Sequence, residues 1–557
     1  MEPNYINKTK NSGGINMKKR TAKIACLALT AVISAGMLAG CKGKDKEAAG
    51  DASKNGPVTI DYMAYQMLGQ PDSNSPVVKK VEEKFNTKFN FWFVNGNNLD
   101  EVLNVKFAAG EMPDVMRIQN KANLGKYKDQ GILAPLSKED MKKYMPNYVK
   151  FIDEKYPNAW KEVSYDGKLY AIPTTTYDSN YPTVITWNKQ WLDNVGITKI
   201  PETLKEYEEA FYKFRNNDPD KNGKKDTYGL SDTIMPTIMG AFDYPGIYNI
   251  AQAIKKNDLA SALPIFVTPD DKVVIGSIMP GNKEALATLQ KWYKDGIIDP
   301  EFITGENTGG YWADSQAFFN GKVGVTGLSM FYHWRNELDP KNPNDKGGQV
   351  WQNFKKVKPD GQVVFGKPAV GPSGKSGSPA WSLTSQPTAI TVKAAKDPKK
   401  IETIYKMIEA LHTDKAYFNL TKFGIEGTDW ETVNGAPATK HPEWKSSDGE
   451  KQGIGDVFNL GTMPDEFKRS TNPFQYEFGD KYFKYNGYRN AFIAPGAAFQ
   501  KYSNNLAKIV TDGYLKIITG EKSVDYFDEM VAKFKSNGGD EVLKELNDTY
   551  LTMIGKK

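Results

Sequence analysis

Asp218, Asp220, Asn222 and Asp226 stand at positions 1, 3, 5 and 9 of a loop whose sixth residue is Gly223. That is the spacing of oxygen donors in a calcium loop, and Lys224 at position 7 would add its main-chain carbonyl. Gly229 occupies position 12, where an EF-hand carries a bidentate Glu, and Lys221, Lys224 and Lys225 oppose a cation. The spacing predicts a structural Ca²⁺; a solvated Asn/Asp/Gly turn is the plainer alternative. Other chemistry is thin. His333, His412 and His441 are the only histidines, none at metal-ligand spacing, and no Gly-x-Ser-x-Gly elbow occurs. His412 follows an apolar helix over residues 401–411, where a cation would suit the helix dipole. Residues 374–376 (GKS) resemble the end of a P-loop, but Ala369 stands where its first glycine must be.

The N-terminus predicts where the chain works. Lys18, Lys19, Arg20 and Lys23 precede or interrupt an apolar run that ends in Leu38-Ala39-Gly40-Cys41. A basic start, a short apolar stretch and a small-residue cleavage site form a secretory signal. Its uncharged core is at the short limit for a membrane span. Residues 1–40 are read as the signal, with 1–16 an extension upstream of Met17. The ending resembles a lipobox, which makes Cys41 the lipidated first residue. Residues 42–56 (KGKDKEAAGDASKNG) lack bulky apolar groups and form a tether. Residues 1–40 hold six of the 73 basic and one of the 67 acidic residues, leaving a mature net charge of +1. That balance gives no surface for nucleic acid. Cys26 leaves with the signal, so the mature fold has no disulfide.

The elements behind these residues alternate. Residues 58–64 read as a strand, Ser75-Pro76 as a helix start, and Val77, Val81 and Phe85 as one helical face. A strand over 89–94, a helix through Leu99, Leu103 and Phe107, and a strand over 115–118 follow. This βαβα order predicts a largely parallel sheet with its ligand site beyond the strand C-termini, near Tyr65 and Gln119-Asn120. Thr203 and Glu206 form a capping box. The chain ends in two amphipathic segments separated by Gly538-Gly539.

Seven segments stand in a recognisable order: residues 108–115 (AAGEMPDV), 130–136 (QGILAPL), 166–173 (DGKLYAIP), 292–301 (WYKDGIIDPE), 318–324 (FFNGKVG), 423–427 (FGIEG) and 538–541 (GGDE) with Asn547. Together they resemble the extracellular solute-binding proteins of ABC importers, family one. The branch is similar to the large Gram-positive lipoproteins related to alginate-oligosaccharide-binding proteins. The resemblance implies an α/β, two-lobe periplasmic-binding-protein-like fold of type II, with the ligand cleft between the lobes. It places lobe one at 57–180 plus 380–430 and lobe two at 181–379 plus 431–557, with crossings near 173–182 and 371–379. Related proteins carry a similar calcium loop, often with an acid where this chain has Thr227.

Aromatic residues make up 12% of the chain, with 11 Trp, and pyranose rings stack on such faces. Where the family's cleft loops fall, the candidates are Tyr65, Tyr177, Trp187, Tyr244, Trp312, Trp334, Trp381 and Trp430. Gln119, Thr175, Asn188, Arg335 and Glu426 are their polar neighbours. The resemblance implies a non-enzymatic, monomeric, lipid-anchored receptor that captures an oligosaccharide for a permease driven by a separate ATPase. A lipid-anchored glycosidase or lyase is the alternative, because catalytic carboxylates pair in space rather than in spacing.

Overall fold

The computed structural model describes residues 56–63, 68–94, 99–255, 258–303, 316–433 and 435–556. The signal, Cys41, the tether up to residue 55, Tyr65 and Trp312 lie outside the described residues. Strand β1 (Val58–Met63) buries Ile60 and Tyr62 on one face. Helix α1 (Pro76–Phe85) begins where the Ser75 side chain accepts the Val77 N–H, and it stops at Asn86 in the left-handed region (φ 47°). Strand β2 (Thr87–Phe91), helix α2 (Leu99–Ala108) and strand β3 (Val115–Arg117) complete the anticipated βαβα order. β1 pairs in parallel with both β2 and β3. A fourth strand, Thr388–Ile390, joins β3 antiparallel from far along the chain. The sheet order is therefore 388–390, β3, β1, β2.

One face of this sheet packs with Tyr148, Ile152, Ile404 and Phe418; the other packs with Leu103, Phe107 and Tyr127. Val457, Phe458 and Leu460 also belong to the first of these cores, and the Tyr62 hydroxyl donates to the Val457 carbonyl at 2.8 Å. This corrects the anticipated division: 431–557 does not lie wholly with lobe two. An apolar triplet so far from its sheet in sequence carries no local sign of which core it fills.

A second core surrounds helix α3 (Leu204–Asn216), whose Thr203–Glu206 capping box is formed as anticipated. Phe211 and Phe214 of α3 meet Trp187, Trp292 and the helix Ala497–Ile518 in one cluster. A three-stranded antiparallel sheet orders 363–366, 185–188 and 325–326 beside it. A satellite cluster gathers Tyr181, Phe318, Phe331, Trp334, Phe354, Tyr476 and Phe483. The two C-terminal helices, Tyr526–Phe534 and Asp540–Met553, flank a break at Gly538 (φ 100°). A Cβ at Gly538 would lie 2.5 Å from the Tyr502 ring, so both the turn and the packing require glycine there.

The chain passes between cores three times. Residues 172–176 run antiparallel to 384–388, with bridges Ile172–Thr388 and Thr175–Thr384. Residues 463–476 carry the chain from the Met463 and Phe467 side to Tyr476. The result is the α/β, two-lobe fold of type II. No helix among the described residues is long and apolar enough to cross a membrane.

Candidate functional site: a cleft walled by aromatic rings and amides

The site lies where β3 ends and the crossings begin. Gln119, Asn120 and Lys121 follow β3, as the rule for parallel sheets demands. Together with Thr176, Asp178, Tyr332, Trp381, Ser382 and Phe492 they line a cavity of about 520 Å³. A neighbour of about 340 Å³ adds Tyr248, Asn249, Gln252 and Asp258. A third, about 410 Å³, adds Lys155, Tyr156, Asn158, Glu162, Arg489 and Tyr550. All three share Ser382 and Phe492, so they are compartments of one cleft. Each has the size of a small-molecule site.

Polar groups on the first wall are held in place by one another. Lys121 pairs with Glu162 at 2.9 Å and donates to Thr384 Oγ1 at 2.6 Å. Thr384 in turn donates to Glu162 at 2.6 Å. The same ammonium sits 4.6 Å from the centre of the Phe492 ring on the facing wall, a cation–π contact between lobes. Trp381 is 44% exposed, and its carbonyl accepts from Arg489 Nη1 at 2.8 Å. An exposed indole fixed through its own backbone is a stacking face open to ligand.

Of the candidate aromatics, Trp381 lines the cleft, and so does Gln119. Trp187 does not. It is fully buried between Tyr207, Phe211 and Phe214. Its indole fills the space beside Gly366, where a Cβ would lie 2.5 Å from Nε1. Trp334 is equally buried, against Phe318, Phe319 and Phe354. Trp430 packs on Phe423 and donates to the Gly424 carbonyl at 3.0 Å. Asn188 is a helix cap, its Oδ1 accepting the Trp191 N–H at 3.1 Å. Arg335 is committed to a buried ion pair with Asp345. Glu426 is exposed in the turn before Trp430 and lines none of the three cavities. Tyr244 stacks on Phe266 at 4.8 Å. Thr175 and Tyr177 sit on the first crossing: the Thr175 N–H donates to Thr462 Oγ1 at 2.7 Å, and the Tyr177 hydroxyl accepts from Arg469 at 2.8 Å. Sequence reasoning missed Lys121, Tyr248, Tyr332 and Phe492. Only Lys121, next to Gln119-Asn120 at the strand end, carried a usable signal.

His412 also departs from expectation. Its ring is buried, with Nδ1 2.8 Å from the Thr462 carbonyl, and burial lowers its pKa below the ordinary imidazole value. It lies in the last turn of its helix as anticipated, but burial disfavours its charged form there. The Gly374-Lys375-Ser376 run is a turn with Gly374 at φ 79°, where Lys375 pairs with Asp243 at 3.0 Å.

The acidic loop folds back on itself. Asp218 accepts the Asn222 and Gly223 N–H groups at 3.1 and 3.0 Å. The Asn222 amide reaches Asp220 at 2.8 Å and Asp226 at 3.2 Å. Burial, Asp218 and the Asp226 charge together raise the Asp220 pKa above the usual carboxylate value. The three carboxylates of the loop are linked to one another through Asn222. No group of three or more His, Cys, Asp or Glu takes up a metal-binding arrangement among the described residues.

Residues 77–335 match the family described as bacterial extracellular solute-binding protein. The chain is 26% identical to the polygalacturonan/rhamnogalacturonan-binding protein YtcQ of Bacillus subtilis, over 92% of this chain and 96% of that one. It is 25% identical to the lipoprotein LipO of the same organism, covering 93% and 97%. Among solved structures, the alginate-binding protein AlgQ2 without calcium ion superposes with a TM-score of 0.61 at 18% identity, over 89% of this chain and 98% of that one. An EF-hand mutant of the Streptococcus pneumoniae substrate-binding protein FusA gives 0.59 at 16% identity, over 90% and 100%. The first relative and both solved structures are named as binding proteins, not enzymes. The family match over residues 77–335, the relatives covering more than nine-tenths of the chain and the two-lobe architecture agree: this chain is similar to the bacterial extracellular solute-binding proteins.

Proposed function

We propose that this chain captures an oligosaccharide in the inter-lobe cleft and presents it to the permease of an ABC importer. One observation carries the reading: the cleft joins aromatic faces (Trp381, Phe492, Tyr248, Tyr332) to hydroxyl and amide groups (Gln119, Asn249, Thr384) on opposed lobes. Sugars need both kinds of surface, because flat C–H faces stack on rings while hydroxyls take hydrogen bonds. The polygalacturonan/rhamnogalacturonan-binding relative and the fold shared with an alginate-binding protein support the same class of ligand. Calorimetric titration of the chain from residue 42 with neutral and acidic oligosaccharides, followed by product analysis, tests it. Saturable binding with the sugar recovered intact is expected. No binding across the panel refutes capture, and cleaved product makes the protein an enzyme.

The remaining assignments complete the proposal. Cys41 carries a diacylglycerol that holds the protein at the outer face of the cell membrane, since two acyl chains suffice for stable anchoring; the lipoprotein name of one relative supports this. Cys41→Ala should release the protein to the medium or block its processing. Asp218, Asp220, Asn222 and Asp226, with the Lys224 carbonyl, hold a structural Ca²⁺. An alginate-binding neighbour solved without calcium ion and a neighbour carrying an EF-hand mutation support that loop as a cation site. The lobes divide as 57–180 with 380–467 and 181–379 with about 473–557.

A further inference from the structure

Among the described residues, charges in the cleft are paired with two exceptions, Asp258 and Arg489. Lys121 has Glu162 at 2.9 Å, and Lys155 has Asp465 at 2.8 Å. Asp178, from the first crossing, has Lys468 at 3.0 Å and the Tyr476 hydroxyl at 2.9 Å. Arg489 has no carboxylate partner among the described residues. Its Nη1 donates to the main-chain carbonyls of Ser179 and Trp381. Those bonds fix the guanidinium at the crossing, leaving its other N–H groups without a protein acceptor among the described residues. The compartment it lines also holds Tyr156, Phe492, Tyr550, Asn158 and Asn490.

We infer that Arg489 is the anchor for a carboxylate on the bound sugar, so that the cleft selects a uronate-containing oligosaccharide. This rests on the carbohydrate capture proposed above. A planar guanidinium offers parallel N–H donors that match a carboxylate, and such charge-assisted pairs are stronger than neutral hydrogen bonds. Two of its neighbours, Tyr156 and Phe492, supply ring faces, and the two asparagines supply hydroxyl partners. Burial already lowers the Arg489 pKa from its ordinary value. An arriving anion would supply the counter-charge that the fold withholds. The adjoining compartment at Trp381 carries the opposite sign: Asp258 lines it, capping a short helix through the Ala260 N–H and the Ser261 hydroxyl. A carboxylate is repelled at that end and attracted at Arg489, which fixes the direction in which an acidic chain lies.

The test compares each acid with its own neutralised form. Oligogalacturonates, oligomannuronates and glucuronoxylo-oligosaccharides are titrated by calorimetry beside their methyl esters and a neutral oligosaccharide panel. We expect at least one acid to bind tenfold or more tighter than its ester, with an advantage that shrinks as salt rises. Arg489→Gln should abolish the preference, bringing acid and ester affinities to the same value, and Arg489→Lys should retain part of it. A purely structural role for Arg489 would move acid and ester affinities together and leave their ratio unchanged. Wild-type protein that binds neutral sugars as well as uronates overturns the anchor but keeps carbohydrate capture. Binding of no saccharide at all overturns the capture reading itself.

Discussion

Two tryptophans that look alike in sequence do different work, and substitution separates them. Trp381 is 44% exposed in the cleft, whereas Trp187 is fully buried beneath α3. Trp381→Ala should leave the melting temperature unchanged and weaken oligosaccharide binding by about 2 kcal/mol, the usual loss for an engaged aromatic platform. Trp187→Ala should cost about 3–5 kcal/mol of stability through the cavity it leaves. Any binding loss there should follow unfolding alone. Calorimetry beside thermal melts reads both, and equal affinity in Trp381→Ala would remove that ring from the site. His333 gives a pH signature. Burial pulls its imidazole down to about 4 from 6.5. Between those values the unfolded chain binds a proton that the folded chain refuses, so the contribution is complete above pH 6.5 and lost on descent toward pH 4. The stability advantage of wild type over His333→Gln should narrow over that window, by at most about 3 kcal/mol. A constant gap would mean that His333 titrates normally.

Among elements, the acidic loop between α3 and Tyr228 makes the sharpest demand. Asp218, Asp220 and Asp226 crowd together, and their mutual repulsion and burial raise the Asp220 pKa. A cation removes that cost and stabilises the folded state by RT ln(1 + [L]/Kd), about 2.7 kcal/mol at a hundredfold excess over Kd. EDTA should therefore lower the melting temperature, Asp220→Ala should lower it similarly, and the two should not add. Sugar affinity should stay constant, because the loop lines none of the three cleft compartments. Indifference to both treatments would make the loop a turn. The βαβα order and the Thr203–Glu206 box were legible because their signals are local. The cleft was less so. Strand 388–390 enters the first sheet, and Phe492 faces Lys121, through contacts across more than 250 residues. A core tryptophan such as Trp334 and a cleft tryptophan such as Trp381 share composition and hydropathy. Only packing tells them apart.

For the whole molecule, the consequence lies in motion about the crossings. Each lobe has its own hydrophobic core, so rigid-body movement of the lobes about the three crossing segments is the expected mode of closure. These segments are cross-tied. Arg469 on the third crossing bonds Tyr177 on the first at 2.8 Å and Asp480 at 3.0 Å, while Asp178 pairs with Lys468. At present the walls touch where the Lys121 ammonium meets Phe492, and the compartments around that contact remain open to solvent. A ligand stacked on Trp381 and bonded to Gln119 gains its second wall only if the lobes approach, because ligands of this size are usually 70–90% buried. Saturating oligosaccharide should therefore shrink the radius of gyration in solution scattering, and the contraction should follow the binding isotherm. Arg469→Ala, which cuts the tie between crossings, should widen the spread of conformations without ligand yet leave the contracted form within reach. If the radius stays fixed while calorimetry reports full occupancy, the cleft is a rigid groove that holds its ligand without closing over it.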